Sequence, residues 1–164
     1  MYDNTFDHFI ALLQPLARVH QEPDFHPEGD ALFHSLQVFE RAKTESDDPE
    51  IWAAALLHDV GKTLTISEHA EVGADLLLDS VSARVCWLVE HHMDLVRDPK
   101  GSRISLAKNP RAADLLQLRR WDLAGRSPHA WVSPLEAALG ELLEPGCAEQ
   151  WLLRARVRKD GTTY

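Results

Sequence analysis

The sequence predicts an all-α fold, a helical bundle, and three observations carry that expectation. Apolar residues recur at intervals of three and four, capping residues stand at helix-length intervals, and no segment sustains a two-residue alternation bounded by hairpin turns. A chain of 164 residues lies within the single-domain range and can bury a substantial core. One unit is expected: an N-terminal helix over 1–19, a core over 20–126 and C-terminal helices over 127–164.

The elements follow in order. Phe6, Phe9, Ile10, Leu13, Leu16 and Ala17 form one stripe of a first helix ending near Val19. Asp30 caps a helix from Ala31 to Lys43, and Asp48 with Pro49 at the first helical position starts another through Ile51, Trp52, Ala55 and Leu56. Ser67 with Glu68 and Glu71 starts a fourth, Ser80 a fifth reaching His92, Asn109-Pro110 a sixth to Gly125, and Ser133-Pro134 a seventh. Pro145-Gly146 breaks the chain before a last helix over Gln150 to Arg158. His20 to Gly29 and Met93 to Lys108 are expected to be long loops, which in compact domains are often functional. Trp52, Trp87, Trp121, Trp131 and Trp151 have aliphatic neighbours and are expected to pack in the core.

Charge narrows the function. Residues 1–96 carry 5 basic and 18 acidic side chains, whereas residues 97–126 carry 8 and 3. An acidic body lacks the basic face that broad nucleic-acid binding requires, so a small phosphorylated substrate is favoured. Arg97, Lys100, Arg103, Lys108 and Arg111 can form an anion-attracting lip over a site or an ordinary solvated loop. No signal peptide or membrane-length apolar run is visible, and Cys86 and Cys147 suit buried free thiols of a reducing compartment; a soluble, cytoplasmic protein is expected.

The chemistry centres on Leu56-Leu57-His58-Asp59-Val60-Gly61-Lys62. An adjacent imidazole and carboxylate at an apolar helix end are costly to bury unless a metal or a charged partner compensates them. Neighbouring helical residues diverge by about 100°, but a helix end leading into Gly61 can turn both toward one cation. His34, His69, His91, His92 and Asp122 supply partners of the right type. Periodicity sets His34 away from the stripe of Leu32, Phe33, Leu36 and Phe39, so as a ligand it requires that its polar face line a cleft. Neither a serine nor a cysteine nucleophile motif nor a phosphate-cradling glycine loop is present, which leaves water activated by a divalent cation as the supported nucleophile.

The order H…HD…H…HH…D resembles the HD-domain superfamily of metal-dependent phosphohydrolases. Residues 23 to 41, with His26-Pro-Glu-Gly-Asp30 ahead of His34, are similar to the HD domain of bacterial CCA-adding enzymes (tRNA nucleotidyltransferases). His69-Ala-Glu-Val-Gly-Ala-Asp-Leu-Leu, Leu88-Val-Glu-His-His-Met93 and Leu116-Gln-Leu-Arg-Arg-Trp-Asp-Leu-Ala124 resemble its next blocks, so the likeness covers roughly residues 20 to 126. Only a short amphipathic stretch precedes residue 20, so the nucleotidyltransferase head is expected to be absent and CCA addition with it.

The resemblance implies an all-α HD fold and hydrolysis of a phosphomonoester or a 2′,3′-cyclic nucleotide. It implies a first ion held by His34, His58, Asp59 and Asp122, and a second bridged by Asp59 and held by His69 and one of the paired histidines. His92, immediately before Met93, aligns with the ligand; His91 is then a neighbour. Two imidazoles and two carboxylates suit Mn, Fe, Co, Ni or Zn, with Mg possible, at one or two ions per chain. Asp59 and Lys62 are the catalytic candidates: Lys62 neutralises a substrate phosphate or is a surface lysine, and His26 either supports the site or caps its loop. The alternative is a catalytically weak metal-binding module that recognises a nucleotide, a tRNA end or a protein partner.

Overall fold

A computed structural model describes residues 3–153, and all the regular elements among them are helical. The helices are α1 (Asp3–Leu13), α2 (Ala31–Glu45), α3 (Pro49–Leu57), α4 (His69–Leu77), α5 (Ala83–His91), α6 (Asp94–Arg97), α7 (Pro99–Leu106), α8 (Ala112–Ala124), α9 (Leu135–Leu142) and α10 (Ala148–Trp151). Short 3₁₀ segments follow α1 (Gln14–Arg18) and α3 (Val60–Thr63). Among the described residues no helix is long and apolar enough to cross a membrane.

Helix α3 is the axis of the bundle. Ile51, Ala53, Ala54, Ala55, Leu56 and Leu57 are all buried, and a helix apolar on every side belongs inside a core. Its run of alanines lets α2, α5, α8, α9 and α10 pack around it. Asp48 accepts from the Glu50 amide at its start, as the Asp-Pro signal predicts, and Asp30 accepts from Phe33 N at the start of α2.

Several boundaries move. The first helix ends at Leu13, because Pro15 tightens the next turn into a 3₁₀ segment. Helix α4 begins at His69, two residues after Ser67. Helix α5 is capped by Ser82 and not Ser80, since Val81 bridges Leu152 and Ser82 N donates to Trp151 O, keeping the chain extended for two more residues. Asn109 accepts from Arg111 N ahead of α8, which starts at Ala112. The last helix expected over Gln150 to Arg158 is corrected at its start: α10 covers Ala148–Trp151 and ends there because Leu152 turns extended to bridge Val81, and what lies past residue 153 is outside the described residues.

The segment from Met93 to Lys108 is not a loop: it folds into α6 and α7. Asp98-Pro99 is the same cap-and-proline signal as Asp48-Pro49, with Asp98 accepting from Gly101 N, and its surrounding charge conceals it. Trp131 is 76% exposed and contradicts the expectation of five core tryptophans; Trp121 and Trp151 are buried, while Trp52 and Trp87 pack at the core's edge. Cys86 and Cys147 are half-buried free thiols.

Candidate metal centre

Six side chains from five segments meet inside the bundle. Helix α2 brings His34, the end of α3 brings His58, Asp59 precedes the 3₁₀ turn, His69 opens α4, His92 follows α5, and Asp122 lies in the last turn of α8. All six are buried. The polar face of α2 that carries His34 is covered, as its reading as a ligand requires: α3 packs on one side and α8 on another, so Ser35 and Gln37 are buried with it.

Local backbone geometry aims each imidazole. His58 Nδ1 lies 2.8 Å from Ala55 O, His69 Nδ1 2.7 Å from Ile66 O, and His92 Nδ1 2.7 Å from Val89 O. A carbonyl oxygen only accepts, so Nδ1–H donates in all three and a neutral ring turns the Nε2 lone pair inward. The remaining contacts divide about Asp59. Its Oδ2 lies 3.4 Å from His58 Nε2 and 3.8 Å from His34 Nε2, while its Oδ1 lies 3.2 Å from His69 Nε2 and 3.5 Å from His92 Nε2. The turn at Asp59 (φ −98°, ψ 7°) lets it face the same space as His58 despite their adjacency. His34 Nε2 and Asp122 Oδ1 are 2.9 Å apart.

Two features of this arrangement call for a cation. His58 Nε2 is buried and has no hydrogen-bond partner, and a buried unpaired polar atom is expensive. His69 Nε2 and His92 Nε2 lie 3.1 Å apart, and two lone pairs at that distance repel unless a proton or a metal sits between. His34, His58 and Asp122 form one group whose donor atoms are close enough to hold an ion, and His58, Asp59 and His92 form another. The donor set thus fits one or two divalent ions of borderline softness.

The electrostatics agree. Burial would raise Asp59, but His58 and Lys62 outweigh it and hold the carboxyl well below its ordinary range. Asp122 is likewise held low, burial being overcome chiefly by the bond to His34. Burial opposes protonation of His34, yet Asp122, Glu28 and Asp59 raise it to about 9, so a cation at its Nε2 would displace a proton. Burial keeps His92 below its usual value, as suits a neutral donor. Both carboxylates are therefore ionised and ready to ligate at neutral pH.

Lys62 is not a surface residue: its side chain is 10% exposed and Nζ donates to Asp59 Oδ2 at 2.8 Å and Gln21 Oε1 at 2.6 Å. His91 stands outside the cluster, with Nδ1 2.7 Å from Asp94 Oδ2 and its ring against Trp87. Its place among the candidate ligands is corrected accordingly, because the last turn of α5 directs the two adjacent rings to different sides. Arg97 is spent on Glu71 and Ser67 O, while Lys100 and Arg103 are exposed.

Arg119 and Arg126 join the site without having been singled out from the sequence. Arg119 Nη1 is 3.0 Å and Arg126 Nη2 3.5 Å from the Asp122 carboxylate; their offsets of three and four residues from Asp122 are the signal that could have found them. Replacing His92 by Ala should remove no more than one ion, that on the Oδ1 side of Asp59, while His91→Ala should leave metal content unchanged. Elemental analysis of the two variants checks this, and the reverse ranking would reassign the ligand.

Residues 32–123 match the HD domain family, more than half of the chain. The chain is 42% identical over 72 residues to the multifunctional CCA protein of Hahella chejuensis, covering 40% of this chain and 17% of that protein. The protein of the same name from Halorhodospira halophila is 44% identical over 64 residues (35% and 15%), and that from Methylococcus capsulatus 43% over 56 (34% and 13%). The match thus spans less than a fifth of each relative's length.

Proposed function

Because this chain belongs to the HD domain family, we propose that it is a metal-dependent phosphohydrolase that cleaves a phosphomonoester or a 2′,3′-cyclic nucleotide phosphodiester with water as the nucleophile. The observation that carries this reading is the buried, unpartnered Nε2 of His58, set among ionised carboxylates and inward-facing imidazoles. The substrate class is the one that the likeness to the HD domain of CCA-adding enzymes implies. A divalent cation, when bound, lowers the pKa of water and polarises a phosphoryl oxygen.

The chain's own residues supply the rest. His34, His58, Asp59 and Asp122 would hold one ion, and Asp59 with His69 and His92 a second. The backbone carbonyls of Ala55, Ile66 and Val89 fix the donor tautomers before any ligand arrives, so little reorganisation is needed. Lys62 has three donors, of which Asp59 and Gln21 take two, leaving the third for an anionic oxygen of the substrate. Arg119 and Arg126 hold Asp122 in place and add positive charge beside the centre.

Lys62→Ala tests the catalytic reading against the binding-module alternative. It should leave the fold intact and lower kcat/KM by roughly 2 to 4 kcal/mol at the transition state, as expected for a lost charged contact. Steady-state kinetics on a phosphoester panel with Mn²⁺, Co²⁺, Ni²⁺ and Mg²⁺ measures it. A variant within threefold of the parent on every substrate would remove Lys62 from the reaction.

A further inference from the structure

We infer that Glu28 is a positioning residue for the metal centre: a buried carboxylate whose negative charge, set against the outer nitrogen of His34, strengthens cation binding at that ligand's inner nitrogen. The inference rests on the metal-centre reading above and extends it to a residue outside the donor set. The Glu28 side chain is wholly buried, and its Oε1 lies 3.0 Å from His34 Nδ1 and 2.9 Å from His26 Nδ1. Its Oε2 is buried and has no hydrogen-bond partner. Among the described residues only these two histidines form ion pairs with it.

A buried carboxylate is costly unless something positive compensates it. His26 is partly exposed, whereas His34 is wholly buried and its Nε2 faces Asp122 and Asp59, so the Glu28 charge bears on the centre through the His34 ring. The Nδ1–H of His34 already has an acceptor in Gly125 O at 2.8 Å. That carbonyl sets the tautomer, so what Glu28 adds is charge. A carboxylate against the outer nitrogen makes the imidazole a stronger donor to a cation at Nε2, and losing such a partner commonly weakens metal affinity 10- to 100-fold.

The chain is built to hold Glu28 there. Gly29 adopts φ +98°, a conformation that favours glycine, and its amide donates to His26 O while its carbonyl accepts from Gln21 N. His20 pairs antiparallel with Asp30, closing the loop, and Ala31 N donates to Val19 O. The same loop carries Gln21 to Lys62. Its two ends therefore address one oxygen of Asp59, Oδ2, by two routes: Glu28 through His34 and Gln21 through Lys62.

Glu28→Gln keeps the acceptor and the shape but removes the charge. Chelator-stripped protein is titrated with Co²⁺ by calorimetry, with the visible spectrum recorded, and thermal unfolding of the metal-free proteins checks the fold. The expected result is a Co²⁺ dissociation constant raised 10- to 100-fold with altered visible bands in a folded variant. A folded Glu28→Gln within threefold of the parent, with an unchanged spectrum, overturns the inference while leaving the metal centre standing. A parent protein that binds no Co²⁺ overturns the metal centre itself. Should Glu28→Gln not fold, Glu28→Asp carries the same readouts: it retracts the charge from His34, so weaker Co²⁺ binding is expected and unchanged binding overturns the inference.

Discussion

Asp59→Ala is expected to abolish hydrolysis, by at least about 10³-fold or roughly 4 kcal/mol, and to remove most of the bound metal. Asp59 turns one oxygen to each half of the centre: Oδ2 faces His34 and His58, and Oδ1 faces His69 and His92. Its loss also strips Lys62 of its carboxylate, leaving the ammonium its bond to Gln21. Asp59→Asn separates the two effects, since the amide keeps the volume and one acceptor but not the charge. Elemental analysis and single-turnover kinetics check both variants. Retention of more than a tenth of the parent activity by Asp59→Ala would refute the bridging role.

Gly61→Ala should be as damaging, for a reason of packing. A Cβ at position 61 would stand 2.0 Å from His69 O and 2.7 Å from Gly73 N. Both are backbone atoms, one on the first residue of α4 and one a turn later, so no side chain can swing aside. The 3₁₀ turn carrying Lys62 would be forced off α4, which carries His69, and the two sides of the centre would part. A loss of more than about 3 kcal/mol in stability is expected, in the range of severe overpacking. Urea unfolding measures it. A variant within 1 kcal/mol of the parent would show that the contact yields, and the role given to Gly61 would fall.

Much of this was legible in the sequence because the relevant signals are local. The Asp-Pro cap at 48–49 and the Asp30 cap depend on neighbours within a turn, and the structure reproduces them. Asp98-Pro99 is equally local, but its charged surroundings read as loop. Burial was harder to read. His34 looks solvated by periodicity because periodicity sees one stripe, whereas α2 is covered from two directions by elements far along the chain. Trp131 errs in the opposite sense: its size suggests core, yet no element covers it well. Glu28, Arg119 and Arg126 act through contacts to His34 and Asp122, and a contact between Arg126 and the Phe25 carbonyl, across most of the chain, has no signature in sequence at all.

The central claim is that these buried side chains hold a divalent cation on which hydrolysis depends. It is tested most directly by stripping the protein with chelator, removing the chelator, and assaying phosphomonoesters and 2′,3′-cyclic nucleotides before and after adding single divalent ions. The account predicts no hydrolysis by the stripped protein and recovery with Mn²⁺, Co²⁺ or Ni²⁺, accompanied by a rise in unfolding temperature because cation binding is linked to folding. Full hydrolysis by metal-free protein, or a stripped protein that neither binds any of these ions nor gains stability from them, would contradict it.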